Sequence, residues 1–247
     1  MSVILVPFHQ DQRLPDGDLP VSGDPSRVEP DLPAGDVWQR LAALYDAVAD
    51  AVAERAGGMP TVVSGDCLVT LGTLTGLHRA GLDPALVWFD AHGDVHTLHT
   101  TTSGYLGGLA LRLALGAHEE KLAEPLGLRP LPEERAVLVD ARDLDPAEVE
   151  YLASARVRRL GVSEVEPALL PDGPILLHVD VDVIDRGELP GLRFPAAGGP
   201  SSGETLAAVK RVLESGRVVG LDIACPWHPG SAGDAVIRRE LLARLTG

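Results

Sequence analysis

Residues 85–97, ALVWFDAHGDVHT, combine an apolar run of strand length with polar residues of the types found in binding sites. The apolar run Ala85–Asp90 has the length of a strand and no clean alternation of apolar and polar residues, which is typical of a parallel strand covered on both faces. Polar residues follow it directly, and ligands of open parallel sheets gather at the carboxyl ends of the strands. The stretch therefore predicts a buried strand that ends in a binding site.

Similar apolar runs recur along the chain and alternate with stretches of helical periodicity. The predicted strands are Ser2–Pro7, Thr61–Ser64, Ala85–Asp90, Ala136–Asp140, Pro174–Asp182 and Val218–Ile223. The predicted helices are Val37–Ala56, Cys67–Ala80, Leu106–Leu115, Pro146–Ser154, Glu204–Ser215 and Ala232–Leu245, and the Pro/Gly-rich loops are Asp11–Pro33, Glu124–Glu134 and Gly187–Gly203. This order predicts an α/β fold with one doubly wound, mainly parallel sheet and helices on both faces. Residues 1–247 are expected to form a single domain.

The composition excludes several classes of protein. With 45% hydrophobic and 23% charged residues, the chain is neither disordered, collagenous nor a coiled coil. A net charge of −15 argues against partners such as nucleic acid or a membrane surface. No apolar run approaches the ~20 residues of a membrane span, and the first residues lack the basic region of a signal peptide. The two cysteines, Cys67 and Cys225, cannot form a disulfide framework, which favours a reducing cytoplasm.

Two strand ends carry the residue types of a metal centre. If the strand continues past Asp90, then Asp90, His92 and Asp94 project to one face, because side chains alternate along a strand. Asp180 and Asp182 repeat this spacing at the end of a second strand. Four carboxylates and one imidazole in one place require a cation, and they suit a pair of divalent ions such as Mn²⁺. A lone Asp is more often a helix cap and a lone His is more often structural, but the two motifs together favour metal.

These segments resemble the arginase/agmatinase (ureohydrolase) family, from about Pro60 to the C-terminus. The matching segments, in the order of the family, are SGDCL (64–68), DAHGD (90–94), TTSGYLGG (101–108), RDLDPAE (142–148) and DVDVID (180–185). The resemblance implies an arginase-like three-layer αβα fold with two Mn²⁺ ions per chain, whose bridging hydroxide attacks a guanidinium-type carbon.

The same resemblance implies a role for each acidic residue of the centre. Asp90 and Asp180 bridge both ions, His92 and Asp182 complete one ion, and Asp94 lies on the other, so that Asp94 is a catalytic candidate. Asp185 matches the second acidic position after DxD and is the other catalytic candidate, interpreted as support for the ligands rather than as a ligand.

Departures from the family pattern are as informative as the matches. Cys67 stands where the family has a His ligand, and we expect it to bind metal, the alternative being a buried inert thiol. Gly107 stands where the family has a proton-shuttling His, and Tyr105 and two nearby histidines, His96 and His99, are possible substitutes. Cys225 stands where the family has a Glu that pairs with the substrate guanidinium, so a full guanidinium would lose its partner.

The remaining pocket still fits the amino-acid end of an arginine-like substrate. Ser103, with Thr101 beside it, matches hydroxyls that hold the α-carboxylate. Asp145 matches the acid that holds the α-amino group, although Asp-Pro-x-Glu is also a good helix N-cap. His96 and Cys225 are expected to line the substrate pocket.

A site that keeps the metals and loses the guanidinium partner favours an N-hydroxylated guanidine, which is less basic. We therefore expect an Nω-hydroxy-L-arginine amidinohydrolase that yields ornithine and hydroxyurea, in the specialised branch of the family that serves antibiotic biosynthesis. The alternatives are a ureohydrolase for another guanidino, formimino or amide compound, or a catalytically silent metal-binding relative. The sequence ends in or just after its last helix, without the tail that joins trimeric arginases, so a monomer is favoured over an oligomer.

Overall fold

The computed structural model describes residues 3–230 and 232–247. The strands in this part are β1 (Val3–Val6), β2 (Phe8–His9), β3 (Gln12–Arg13), β4 (Ser26–Arg27), β5 (Thr61–Ser64), β6 (Ala85–Asp90), β7 (Ala136–Asp140), β8 (Arg158–Leu160), β9 (Ile175–Asp180) and β10 (Val218–Ala224). The α-helices are α1 (Val37–Ala53), α2 (Val69–Arg79), α3 (Ala110–Ala114), α4 (Ala123–Leu126), α5 (Pro146–Ser154), α6 (Ser202–Leu213) and α7 (Ala232–Thr246).

Eight of these strands form one parallel sheet in the order β4-β1-β5-β10-β9-β6-β7-β8. β2 and β3 form a separate antiparallel ribbon. After β5 the chain crosses to the other half of the sheet for β6, and β9 and β10 later fill the space between them. Such a change of direction leaves a crevice at the carboxyl ends of the central strands, where ligands bind in open α/β sheets.

Two apolar clusters cover the two faces of the sheet. One contains Ile4, Val62 and Trp88 with side chains from α1 to α5. The other contains the alternate strand residues, such as Val63 and Phe89, with side chains from α6 and α7. Because both faces are buried, the central strands β5, β6 and β9 are buried throughout, which is why their sequences do not alternate. The predicted α/β fold with helices on both faces is confirmed.

The bounds of some elements match the prediction and those of others do not. β5, β6, β7 and α5 have the predicted bounds. The strand predicted for Pro174–Asp182 is wrong at its end: β9 stops at Asp180 and a 3₁₀ turn, Val181–Val183, follows. The helix predicted for Leu106–Leu115 divides into a 3₁₀ turn and α3, and short strands that were not predicted, β4 and β8, form the edges. Ser2, at the start of the first predicted strand, lies outside the described residues.

Within the described residues, no helix combines the length and the apolar character that crossing a bilayer requires.

Candidate metal centre

The carboxyl ends of β5, β6 and β9 meet at one cavity of about 250 Å³. All six residues that the sequence predicts as metal ligands line it: Cys67, Asp90, His92, Asp94, Asp180 and Asp182. Five of them are buried, and His92 is half-buried. The structure therefore brings the predicted ligands together at the predicted end of the sheet.

The DAHGD segment reaches the cavity by a turn, and the predicted continuation of the strand is wrong. β6 ends at Asp90, whose Oδ1 accepts a hydrogen bond from the His92 backbone N–H at 2.7 Å. Asp94 then adopts a left-handed backbone conformation, with φ of 51°. The Trp88 indole N–H donates to Asp90 Oδ2 at 3.0 Å and fixes the orientation of this carboxylate. A tight turn, and not an extended strand, thus brings the side chains of Asp90, His92 and Asp94 together.

The end of β9 is built in the same way. The Asp182 backbone N–H donates to Asp180 Oδ1 at 2.8 Å, which closes the 3₁₀ turn. His92 Nδ1 then lies 3.2 Å from Asp182 Oδ2 and 3.3 Å from Asp90 Oδ1. The imidazole therefore bridges carboxylates from two adjacent strands.

Cys67 enters the cavity from the turn that joins β5 to α2. Its thiol donates to Asp180 Oδ2 over 2.8 Å. Gly65 makes this turn possible, because a Cβ at this position would lie 2.8 Å from the Phe8 carbonyl oxygen. The Leu68 backbone N–H donates to Asp66 Oδ1 at 2.9 Å and closes the turn.

The cluster carries more negative charge than its own hydrogen bonds neutralise. Burial, together with the neighbouring carboxylates, raises the pKa of Asp94 and of Asp180 well above the usual range. Burial and Asp90 raise the pKa of Asp182 to about 6. Burial opposes the charged form of His92, but Asp182 and Asp90 outweigh it and raise the His92 pKa to about 12. Each of these pKa shifts favours binding of a proton, because the buried carboxylates lack enough positive charge around them.

The donor set fits divalent cations. Asp94 Oδ2 is buried and has no hydrogen-bond partner, although an isolated buried carboxylate oxygen is costly. The ligand atoms of Asp90, His92 and Asp182 lie within 4.8 Å of one another, and so do those of Cys67, Asp90 and His178. Since both groups include Asp90, the arrangement would hold two neighbouring ions, with Asp90 available to each. His178 was not among the predicted ligands.

Three of the five predicted substrate residues line the cavity, and Thr101 and Cys225 do not. Ser103, Asp145 and His96 line it, and His96 Nε2 is 3.0 Å from Asp145 Oδ2. Thr101 does not line it; its Oγ1 accepts a hydrogen bond from the Gly104 backbone N–H at 3.1 Å within a surface turn.

Two further expectations need correction. Cys225 is 1% exposed and packs in the apolar cluster with α6 and α7, so Pro226 and not Cys225 lines the cavity. Asp185 also lies away from the cavity lining, which argues against contact with the reacting atoms. Its carboxylate accepts hydrogen bonds from the backbone N–H groups of Gly187, Gly198 and Gly199, and these bonds hold the loop that follows β9.

The structure adds two lining residues, Glu148 and Phe194, that sequence reasoning did not assign. Glu148 is buried and accepts a hydrogen bond from the Val95 backbone N–H at 3.2 Å, so it ties α5 to the segment after DAHGD. Tyr105 stacks against Phe194 with ring centroids 4.5 Å apart, and both rings form one wall. The segment RDLDPAE, which contains Glu148, is a sequence signal for this residue. Nothing local in the sequence indicates that loop 187–199 returns to the cavity.

Comparisons with known proteins agree with this geometry. A model of the Arginase family matches residues 8–226. The arginase of Eremothecium gossypii is 34% identical over 196 residues, which cover 73% of this chain and 49% of that protein. The N(omega)-hydroxy-L-arginine amidinohydrolase of Streptomyces lavendulae is 31% identical over 209 residues, covering 79% of this chain and 73% of that protein. The chain thus spans about half the length of the first of these relatives.

Among solved structures, the native arginase of Bacillus caldovelox superposes with a TM-score of 0.79 at 24% identity, covering 100% of this chain and 97% of that chain. This likeness supports the fold and carries no information on the substrate.

Proposed function

Since the chain belongs to the arginase family, we propose that it is a metal-dependent amidinohydrolase whose substrate is Nω-hydroxy-L-arginine. The reaction adds one water across the C–N bond that joins the side-chain nitrogen to the hydroxyguanidine carbon. Its products are L-ornithine and hydroxyurea. We also propose that the protein works in a reducing cytoplasm and that its hydroxyurea is used in biosynthesis.

The observation that carries the choice of substrate is the segment after β10. In the resembled pattern, this segment supplies a Glu to the substrate guanidinium, at the position of Cys225. Here the thiol points into the apolar cluster, and Pro226 faces the cavity. An N-hydroxyguanidine tolerates the loss of that carboxylate better than guanidine does, because its electronegative oxygen lowers its basicity.

Asp90, His92, Asp94, Asp180 and Asp182, with Cys67 in addition, would hold two divalent cations, for which we propose Mn²⁺. When bound, such a pair lowers the pKa of a shared water and so supplies a nucleophile near neutral pH. The protein residues keep this region buried and orient the carboxylates through the hydrogen bonds described above.

The amino-acid end of the substrate is assigned to the cavity mouth. Asp145 is exposed enough to accept hydrogen bonds from an α-ammonium group, while His96 Nε2 holds its Oδ2 in place at 3.0 Å. Ser103 lines the same side and offers a hydroxyl to the α-carboxylate.

Tyr105 is our candidate for the proton relay. A Cβ on Gly107 would lie 2.4 Å from the Tyr105 ring, so this ring fills the space that a His at position 107 would need. The Tyr105 hydroxyl lies at the cavity and donates to the buried Asp66 Oδ2 over 3.0 Å. It therefore holds a proton beside the centre, where the leaving amine must acquire one.

L-arginine is the second candidate substrate, because the cavity lining favours cations. Seven carboxylates line it, from Asp90, Asp94, Asp143, Asp145, Glu148, Asp180 and Asp182. In the described part of the chain, its lining includes neither Lys nor Arg.

The test compares the two substrates on Mn²⁺-loaded protein, with ornithine and hydroxyurea or urea as the measured products. We expect kcat/KM to be higher for Nω-hydroxy-L-arginine. Faster turnover of L-arginine would overturn this choice of substrate. An Asp94→Asn variant is the control, since it should lose turnover of both compounds.

A further inference from the structure

His178 is a buried imidazole below the metal centre that the proposed chemistry does not use. It lies on β9 two residues before Asp180, so both side chains project to the same face of the sheet. The residue is fully buried, and its Nε2 has no hydrogen-bond partner. An unsatisfied buried polar atom is destabilising, so this orientation needs a physical reason.

The contacts of the other ring nitrogen define the tautomer. His178 Nδ1 lies 2.7 Å from Thr70 Oγ1 and 3.1 Å from Asp222 Oδ1. The Thr70 hydroxyl itself donates to Asp222 Oδ1 at 2.9 Å. Both neighbours are therefore acceptors towards Nδ1, which carries the proton. In the neutral ring Nε2 then presents a free lone pair.

The ligand atoms of His178, Cys67 and Asp90 lie within 4.8 Å of one another. Nε2 is the His178 ring nitrogen without a hydrogen-bond partner, and neither neighbour donates to it. Asp90 offers acceptor oxygens, and the Cys67 thiol proton is directed to Asp180. Atoms that share one first-row divalent ion lie roughly 3–4.5 Å apart, since each bond is about 2.0–2.3 Å long. A cation at this point would satisfy Nε2, the thiolate and the carboxylate together.

The surroundings of His178 are those of a metal-binding imidazole. A carboxylate on the far ring nitrogen is the usual partner of such a ligand, and Asp222 provides it. Thr73 Oγ1 donates to Asp222 Oδ2 at 2.5 Å, so α2 holds that carboxylate in place. Trp88 stacks on the imidazole with centroids 3.7 Å apart and fixes its plane. An apolar side chain at this position would pack equally well and would bury no lone pair.

We propose that His178 is a metal ligand of this chain, which supplies, with Cys67, the nitrogen and sulfur atoms of one half of the centre. This half takes a softer first-row ion, Zn²⁺ or Co²⁺, in preference to Mn²⁺, because imidazole and thiolate favour softer ions than carboxylates do. The other half, with His92 and Asp182, remains rich in oxygen. The inference rests on the metal centre of the proposed function and changes the composition of one of its two sites.

The first experiment titrates metal-free protein with Co²⁺ and records the absorption of the thiolate–Co²⁺ bond. Wild-type protein should bind two ions, one of them with this absorption. His178→Gln should weaken that ion by tenfold or more, and Asp222→Asn by about 10–100-fold, because it acts through the imidazole. Cys67→Ser should remove the absorption. The control is His78→Gln, which replaces another poorly exposed histidine that does not line the cavity.

Three results would count against the proposal in distinguishable ways. Equal Co²⁺ affinity in wild type and His178→Gln would overturn the role of His178 alone. A wild-type protein that fills both sites with Mn²⁺ in competition with equal Zn²⁺ would overturn the metal preference. A wild type that binds no Co²⁺ would overturn the metal centre and the proposed function with it.

A second measurement needs no variant, in case His178→Gln does not fold. Wild-type protein labelled with ¹⁵N-histidine and loaded with ¹¹³Cd²⁺ should show metal–nitrogen coupling at His178 Nε2. A proton bound at this nitrogen in the loaded protein, with no coupling, would overturn the proposal.

Discussion

At the scale of single residues, the buried carboxylates make the metal-free protein sensitive to pH. A pKa raised on folding gives stability that is present below the unfolded value and lost as the pH rises through the folded value. For Asp182, this range runs from 3.8 to about 6, and Asp94 and Asp180 act in the same direction. The His92 pKa is also raised, from 6.5 to about 12, so its contribution stays constant below pH 6.5.

We therefore expect metal-free protein to lose stability between pH 4 and pH 7. The Asp182 shift alone corresponds to ~3 kcal/mol, or a melting temperature lower by roughly 6–12 °C. Thermal unfolding in a chelator, scanned across this range, measures the effect. Saturation with a divalent cation should reverse it, since the cation replaces the protons. Equal melting temperatures at pH 5 and pH 7 without metal would contradict the expectation.

Tyr105→Phe removes one hydroxyl from the cavity wall and leaves the ring packed against Phe194. If this hydroxyl relays a proton, kcat should fall on the order of a hundredfold while KM and metal content change little. Steady-state kinetics on metal-loaded protein measures both values. Tyr151→Phe is a matched control, because its hydroxyl bonds Glu133 at 2.6 Å and does not line the cavity. An unchanged kcat for Tyr105→Phe would remove the assignment.

The residue types of the centre could be predicted from the sequence, but their orientation could not. Spacing identified Asp90 and Asp180 because strand ends are visible in an apolar pattern. The same pattern gives no sign that Cys225 turns into the apolar cluster, because its direction depends on where β10 ends. The sequence does not single out His178, because it lies inside a strand, where a His is normally interpreted as part of the core.

At the scale of elements, the loop at residues 187–199 brings Phe194 to the cavity, and Asp185 holds this loop. Asp185→Asn leaves one acceptor oxygen for three backbone N–H groups. Weaker hydrogen bonds would hold the loop less firmly, so KM should rise by several-fold. Metal content should stay the same, because Asp185 is not at the cavity.

Substrate titration and metal analysis of the Asp185→Asn variant check this expectation. Asp172→Asn, at an exposed position, is the control and should match wild type. A loss of bound metal with unchanged KM would instead indicate that Asp185 supports the metal ligands.

Buried strands are predicted better than exposed ones. β5, β6 and β7 have the predicted bounds because their apolar runs are continuous. β8 was missed because its residues, Arg158–Leu160, are mostly exposed and polar, and backbone pairing with β7 alone defines it. The turn after β6 was missed because the left-handed conformation of Asp94 has no sequence signal as strong as a glycine.

At the scale of the whole molecule, we expect a monomer because of the charge of the chain and the small number of large apolar side chains exposed on its described surface. Of the described residues, the exposed large apolar side chains are Val149, Leu169, Val236 and Ile237. A stable dimer buries at least about 1,200 Å², usually with an apolar core. A net charge of −15 also repels copies from one another.

Sedimentation velocity should therefore give the mass of one chain, at both low and moderate salt. The comparison of salt concentrations is the control for repulsion, because screening would reveal an association that charge suppresses. A stable dimer or larger assembly at moderate salt would contradict the expectation.

The position of β10 has a consequence for biosynthesis of the protein. This strand comes last in the chain, yet it lies in the middle of the sheet between β5 and β9. A nascent chain that has emerged only as far as β9 therefore lacks the strand that joins the two halves, and it lacks Asp222 behind His178. Pairings between residues so distant in sequence form slowly, because a long loop must close first. We therefore expect the proposed metal centre to form only after β10 has been synthesised.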